Sequence, residues 1–137
     1  MERILGLDIG TVRIGVALSD PLGITAQPLE TIQRNKTDAF DRITFLVKEH
    51  DVSKLVIGNP LTLSGNKSFA AEQIAKFSEK LGMHLELEYV LWDERMTTAQ
   101  AEKLLIANGV RRKKRRQVID QMAATIILQS YLDAFQI

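Results

Sequence analysis

The sequence predicts an α/β fold built on a mixed five-stranded sheet, with three antiparallel meander strands followed by parallel strands, flanked by helices. Two observations lead to this prediction. Residues 3–9 and 13–19 are apolar or alternating runs, punctuated by Gly10 and Gly15, which is typical of an antiparallel hairpin. Later in the chain, short apolar bursts alternate with segments of helical spacing, which is typical of parallel strands joined by helices.

The remaining elements follow from local patterns. A third strand is expected over 23–33, where Pro28 favours a sheet edge or a bulge. The apolar spacing over 38–49 predicts a helix, and Asp38 is a suitable N-cap. The elements expected after it are a strand over 54–60, a helix over 69–81 that stops at Gly82, a strand over 85–92, a helix over 97–109 and a last helix over about 117–135.

Size and composition limit the class of protein. The 137 residues fit one domain spanning 1–137, and a hydrophobic content of 45% is enough for a core. The absence of cysteine gives no indication of disulfides or of a cysteine-ligated zinc site. The N-terminus lacks the apolar core of a signal peptide, and no apolar run approaches the roughly 18 residues that span a bilayer. These features predict a soluble cytoplasmic protein that does not enter membranes.

One short segment is intensely basic. The net charge is +1, so the six cations of this segment leave a charge of −5 on the rest of the chain. Such a block favours a polyanionic partner, although a solvated basic linker is the simpler alternative. The segment consists of Arg111, Arg112, Lys113, Lys114, Arg115 and Arg116.

Carboxylates occupy positions where a purely structural sequence would place apolar residues. Asp8 interrupts an apolar strand, and an unpaired carboxylate there is costly. Asp93 and Glu94 follow the last predicted strand, and Asp120 lies in the first turn of the last helix. The carboxyl ends of parallel strands are where sites form in open α/β sheets. A purely structural role remains open for two of these acids. Asp120 would interact favourably with the helix dipole, and Glu94 would pair with a surface cation.

Clustered carboxylates need a counter-charge because each one raises the pKa of its neighbours. All-oxygen ligation without histidine or cysteine suits one or two Mg²⁺ or Mn²⁺ ions. Paired metal ions held by acidic side chains are suited to in-line phosphoryl transfer to water. Together with the basic segment, the acids predict a nuclease.

Four motifs in this order resemble the YqgF family, also called RuvX, a Holliday-junction-resolvase-like family of the ribonuclease H-like superfamily. They are "GLDIGTVRIGVALSD", "VIGNPL…SG", "DERMTT" and "IDQMAATIILQSYL", and they span nearly the whole chain. The resemblance implies a ribonuclease H-like fold and metal-dependent hydrolysis of phosphodiester bonds. It places the catalytic, metal-binding acids at Asp8, Glu94 and Asp120. For the bacterial family it implies maturation of the 5′ end of pre-16S rRNA, with cleavage of four-way DNA junctions as the alternative.

Other residues are candidates for contacts to nucleic acid. Arg95 is a candidate phosphate clamp or a partner of the neighbouring acids, and a structural ion pair is an equal alternative. Thr11 and Arg13 lie beside Asp8 and are candidates for backbone contacts, with turn geometry as the alternative. Asp93 and Asn59 are weaker candidates: Asp93 either supports the metal ligands or acts as an occasional ligand itself, and Asn59 lies in the turn after the central strand. Residues 111–116 are expected to bind phosphates without reading sequence, and Trp92 is either a stacking residue or core.

Two rival functions belong to other classes. The "LDIGT" hairpin also resembles that of sugar kinases, actin and heat-shock ATPases, but those proteins need two such domains and this chain is too short. A protein that only binds nucleic acid, docked on ribosomal RNA or on the transcription machinery, remains open. Ribosomal or transcription partners and the oligomeric state are not determined by these patterns.

Overall fold

The computed structural model of the protein describes residues 3–60, 69–94 and 112–135, and all of their side chains except those of 60, 93, 94 and 112–117. Five strands and three helices lie within these ranges. In chain order they are β1 (Arg3–Ile9), β2 (Arg13–Ser19), β3 (Ala26–Gln33), α1 (Ala39–Glu49), β4 (Val52–Pro60), α2 (Phe69–Leu85), β5 (Glu88–Glu94) and α3 (Arg112–Ala134). The helix predicted over 97–109 falls outside the described residues.

The five strands form one mixed sheet in the order β3-β2-β1-β4-β5, which confirms the predicted architecture. β1 pairs antiparallel with β2, and β2 with β3, while β4 runs parallel to both β1 and β5. Pro28 lies on the edge strand β3 at a register shift opposite Val16 and Ala17, so both expectations for this proline hold. The carboxyl ends of β1, β4 and β5 therefore lie together where these strands end, and this border of the sheet is called its carboxyl edge below.

Each face of the sheet packs against different helices. Leu5, Leu7 and Ile57 lie in a core cluster with buried side chains of α1 and α2. Ala17 and Val56 lie in a second cluster with α3. Because side chains alternate along a strand, residues of even number face α3 in β1 and, after the register shift at its start, in β4 from Lys54 onward. None of the helices in the described ranges is long and apolar enough to cross a membrane.

The backbone of α3 lies unusually close to the sheet. A Cβ atom at Gly6 would stand 2.8 Å from Leu128 Cβ and 3.2 Å from the carbonyl oxygen of Ala124. Only glycine leaves room for this approach. The small side chains Ala123 and Ala124 are fully buried on the same helix.

The predicted end of α2 at Gly82 is wrong. The helix continues to Leu85, and Gly82 is buried where a Cβ would stand 2.7 Å from the Tyr89 ring. The chain turns at Glu86, which has a φ of 55°, and the amide of Leu87 donates to the Gly82 carbonyl at 3.1 Å. This 6→1 bond is typical of a Schellman motif, so Gly82 serves packing and Glu86 takes the left-handed position.

Other boundaries also differ from the sequence prediction. Asp38 caps α1 as expected, since its side chain accepts from the amide of Asp41 at 3.1 Å. β3 begins at Ala26 rather than at Gly23, because the preceding residues form a turn around Asp20. α3 begins at Arg112 rather than near Gln117. Residues 112–116 are therefore helical rather than a basic loop, in keeping with the good helix propensity of lysine and arginine.

Candidate active site at the carboxyl edge of the sheet

Asp8 lies near the carboxyl end of β1 and faces α3. Its strand neighbours Leu5 and Leu7 are fully buried on the opposite face, whereas Asp8 is half-buried. Asp8 has the same parity as Gly6, which contacts α3. Its cross-strand partner is Gly15, which carries no side chain at the position directly opposite.

The space over Gly15 is filled by the backbone of α3. A Cβ atom at Gly15 would overlap the carbonyl group of Asp120, and the Asp120 Cα lies 3.0 Å from that Cβ position. Directly opposite residues of an antiparallel pair have Cα atoms about 4.5–5.5 Å apart. The packing at Gly15 therefore places the backbone of Asp120 beside Asp8, although the two residues are far apart in sequence.

Arg13 forms an ion pair with Asp120. Its Nε donates to Asp120 Oδ2 at 2.7 Å, and the side chains are 34% and 17% exposed respectively. Arg13 lies on β2 two residues before Gly15 and so shares the face that α3 covers. The guanidinium supplies a positive charge next to a carboxylate that little water reaches. The sequence makes Arg13 a candidate for contacts to the nucleic-acid backbone, with turn geometry as the alternative, and this stays a prediction for a side chain that also pairs with Asp120.

The backbone of β5 brings Asp93 and Glu94 to the same edge. Asn59 pairs with Asp93 and Pro60 with Glu94, and Trp92 lies level with Gly58. Glu94 has the same parity along β5 as Val90 and Trp92, which pack in the cluster with α3. Asp8 and β5 are separated by β4 alone, a distance of about 10 Å at normal strand spacing. The side chains of Asp93 and Glu94 lie outside the described part of the structure.

The other predicted residues are distributed around this edge. Thr11 is exposed in the tight turn between β1 and β2, where the amide of Gly10 donates to the Arg13 carbonyl at 2.9 Å. Asn59 is buried on the opposite face, and its Oδ1 accepts no hydrogen bond from the described residues. Arg95 and Arg111 fall outside the described residues, and only the backbone of 112–116 is described.

Trp92 packs against α3 in an aromatic cluster. Its ring meets Tyr131 edge to face at 5.3 Å between centroids, and its Nε1 donates to Ser130 Oγ at 3.1 Å. These contacts support the interpretation of Trp92 as part of the core at the strand end.

The sequence prediction missed two features of the site. The first is Gly15, whose lack of a side chain lets α3 approach; a glycine inside a strand pattern is the signal that was available for it. The second is Arg34, whose Nη1 donates to the Gly10 carbonyl at 2.7 Å and so supports the turn after Asp8 from the end of β3. No local pattern indicates that contact.

The donor set suits a hard divalent cation. Asp8 and Asp120 offer carboxylate oxygens at one edge without histidine or cysteine nearby in sequence, and such ligands favour Mg²⁺ or Mn²⁺. Among the side chains that the structure describes, no three acidic, histidine or cysteine residues lie close enough to form a metal site. A third ligand would have to come from outside that set, and position 94 is at the right edge for it.

The strand order and the helices on both faces of the sheet define a ribonuclease H-like fold. Solved structures share the fold. Thermus thermophilus RuvC in complex with a Holliday junction substrate is 12% identical, with a TM-score of 0.56 over 98% of this chain and 95% of that one. The fowlpox virus Holliday junction resolvase is 14% identical, with a TM-score of 0.56 over 97% of this chain and 99% of that one.

The chain belongs to the RuvX family, described as "Holliday junction resolvase", which it matches over residues 2–134. Curated relatives from Bacillus thuringiensis (strain Al Hakam) and Bacillus anthracis (strain A0248) are each 52% identical over 135 residues, covering 96% of this chain and 98% of the relative. Both are named "Putative pre-16S rRNA nuclease". The protein is a nuclease, a hydrolase of phosphodiester bonds in nucleic acid.

Proposed function

We propose that the protein is a metal-dependent nuclease that matures the 5′ end of pre-16S rRNA in the cytoplasm, with Asp8, Glu94 and Asp120 as its catalytic acids. The observation that carries this assignment is the packing of α3 on Gly15, which brings Asp120 beside Asp8. The names of the curated relatives support the rRNA substrate. We also propose that residues 1–137 act as one nuclease domain.

The acids differ in what the fold does with them. Asp8 is fixed by a central strand that has neighbours on both sides, so its position is rigid. Asp120 is positioned by a helix backbone in contact with the sheet, and Arg13 holds its Oδ2. Glu94 comes from the end of β5, and Gly58 adds no side chain between β1 and β5 at the level of Asp8. A glutamate is long enough to share a ligand with Asp8 across that gap.

One or two Mg²⁺ or Mn²⁺ ions at these carboxylates would activate a water molecule and stabilise the leaving oxygen. The chain's own residues orient that chemistry. Asp8 and Asp120 provide oxygens on one side of the edge, and Arg13 limits the rotation of the Asp120 carboxylate. The basic residues 111–116 provide phosphate affinity close to Asp120, because residues 112–116 occupy the turns of α3 that precede it.

The experiment is cleavage of end-labelled substrates by purified protein with Mg²⁺, with Mn²⁺ and with EDTA. The substrates are a pre-16S rRNA 5′ segment, the same sequence as DNA, and a four-way DNA junction. Asp8→Asn is expected to abolish cleavage while retaining RNA binding. Asp51→Asn is the matched control because Asp51 lies at the opposite edge of the sheet and its φ of 56° is one that asparagine tolerates.

The outcomes separate the candidate functions. Metal-dependent cleavage of the rRNA segment that Asp8→Asn loses and Asp51→Asn keeps supports the proposal. Preferential cleavage of the four-way junction favours a resolvase instead, the second candidate, which the likeness to RuvC and to the fowlpox enzyme supports at the level of fold. A resolvase needs two active sites, so it would also have to dimerise. Binding without cleavage of any substrate would indicate a binding protein.

A further inference from the structure

A groove of about 690 Å³ opens on the face of the sheet opposite α3. It begins at the turn between β1 and β2, at Gly10 and Thr11, two and three residues after Asp8. From there it follows the exposed side of α2, past Phe69, Lys76 and Lys80. The groove therefore leads away from the edge that carries the candidate catalytic acids.

The charged side chains that line the described part of this groove are all positive. They are Arg34, Lys76 and Lys80, and the lining residues include no aspartate or glutamate. Lys76 and Lys80 are one turn apart on α2, so they lie on the same side of the helix. Neither lysine forms an ion pair with a described residue. Glu72 and Glu79 belong to the same helix but do not line the groove.

Aromatic rings accompany these cations. Phe69 is 76% exposed at the first turn of α2, so its ring is accessible from the groove. The guanidinium of Arg34 lies over the ring of Phe77, 5.1 Å from its centroid. The same guanidinium donates to the Gly10 carbonyl, so Arg34 joins the groove to the turn that follows Asp8.

We propose that this groove binds a single-stranded segment of the polynucleotide substrate, with phosphates at Lys76, Lys80 and Arg34 and a base against Phe69. A groove that combines cations with exposed rings is the arrangement that binds single strands, because every base has a face that can stack. The proposal deepens the proposed function and rests on it for the identity of the substrate. A duplex or a second copy of this chain would be the other occupants.

The test is binding without cleavage, measured by fluorescence anisotropy in EDTA. The probes are a labelled single-stranded RNA of about 20 nucleotides and the same RNA in a duplex, each titrated at several salt concentrations. The variants are Lys76→Gln/Lys80→Gln and Phe69→Ala. The matched control is Lys48→Gln/Lys54→Gln, which removes the same charge near the opposite edge of the sheet, at the end of α1 and the start of β4. Circular dichroism establishes that every variant is folded.

The double lysine variant is expected to bind single-stranded RNA roughly tenfold more weakly. The slope of log K against log salt should become less negative by about 1.4, which corresponds to two lost phosphate contacts. Phe69→Ala is expected to weaken binding roughly tenfold with little change in slope. Affinities and slopes equal to those of the control would overturn the proposal. A loss confined to the duplex, or variants that change the mass in analytical ultracentrifugation instead of the affinity, would also overturn it.

Failure of this proposal is distinguishable from failure of the proposed function. Cleavage by the unmodified protein with Mg²⁺ or Mn²⁺ tests the function, whereas the EDTA titrations test only the groove. If the unmodified protein cleaves RNA and the lysine variant binds it as tightly as the control does, only the groove proposal is rejected. If the variants bind more weakly but the unmodified protein cleaves no substrate, only the proposed function is rejected.

Discussion

Replacement of Gly15 by alanine tests whether backbone contact between α3 and β2 positions the candidate site. The added Cβ would stand 3.0 Å from the Cα of Asp120 and would overlap its carbonyl. Carbon atoms in contact are normally about 3.5–4.0 Å apart, so helix or strand must move by on the order of 1 Å. Displacements of that size in an active site cost roughly 100-fold in rate. Overpacking of this kind also lowers the free energy of unfolding by about 1–3 kcal/mol.

Gly6→Ala is the matched control because it presses on the same helix about two turns further on. Its Cβ would stand 2.8 Å from Leu128 Cβ, a milder clash than the overlap at Gly15, so a loss of about 1 kcal/mol is expected. The assays are urea denaturation for stability and single-turnover cleavage of the preferred substrate under conditions where both variants remain folded. Gly15→Ala should lose far more rate than Gly6→Ala when both variants are folded. Equal losses of rate would refute the argument that contact at Gly15 sets the position of Asp120.

Two further predictions concern charged side chains. Arg13 Nε donates to Asp120 Oδ2, so a double-mutant cycle of Arg13→Gln and Asp120→Asn should give a coupling energy of about 1 kcal/mol by urea denaturation. The partial exposure of Arg13 limits the size of this energy. Additive losses of stability would contradict the ion pair. The amide of Ile24 donates to Asp20 and holds the pKa of that carboxyl below its usual range. The stability that the carboxylate contributes is complete above the unfolded-state pKa of about 3.9 and is lost as the pH falls through the lower folded-state pKa. The stability difference between the protein and Asp20→Asn should therefore shrink as the pH falls from about 5 to 3 in urea titrations, and a constant difference would contradict the assignment.

The antiparallel pairing of the first strands and the parallel second half of the sheet could be predicted because the patterns that carry them are local. The alternation through β1 and β2 predicts a hairpin, and the later apolar bursts predict parallel strands. Pro28 could be placed at an edge because proline cannot donate to a central ladder. These signals depend on neighbouring residues, and the observed topology agrees with them.

Helix ends were less predictable because tertiary contacts decide them. Gly82 looks like a C-terminal glycine in sequence, yet the ring of Tyr89 occupies the space that a side chain at this position would need. The left-handed residue is Glu86, which nothing in its identity predicts. The start of α3 at Arg112 likewise depends on helix propensity prevailing over repulsion among neighbouring cations.

The candidate site was partly predictable for the same reasons. Asp8 is conspicuous because it interrupts an apolar strand, and Asp120 because it lies in an apolar stretch. The pairing of Arg13 with Asp120 joins residues 107 positions apart and depends on which side of α3 meets the sheet. That orientation is set by the glycines at positions 6 and 15, whose effect appears only once the two surfaces are in contact.

The distance in sequence between Arg13 and Asp120 also has a consequence for synthesis of the protein. Asp8 emerges from the ribosome near the start of translation, whereas the helix that carries Asp120 is the last described element to be made. On the proposed assignment, a growing chain lacks a complete set of acids until α3 has been made. Translation intermediates that end before α3 would therefore lack Asp120 and are expected to be inactive as nucleases.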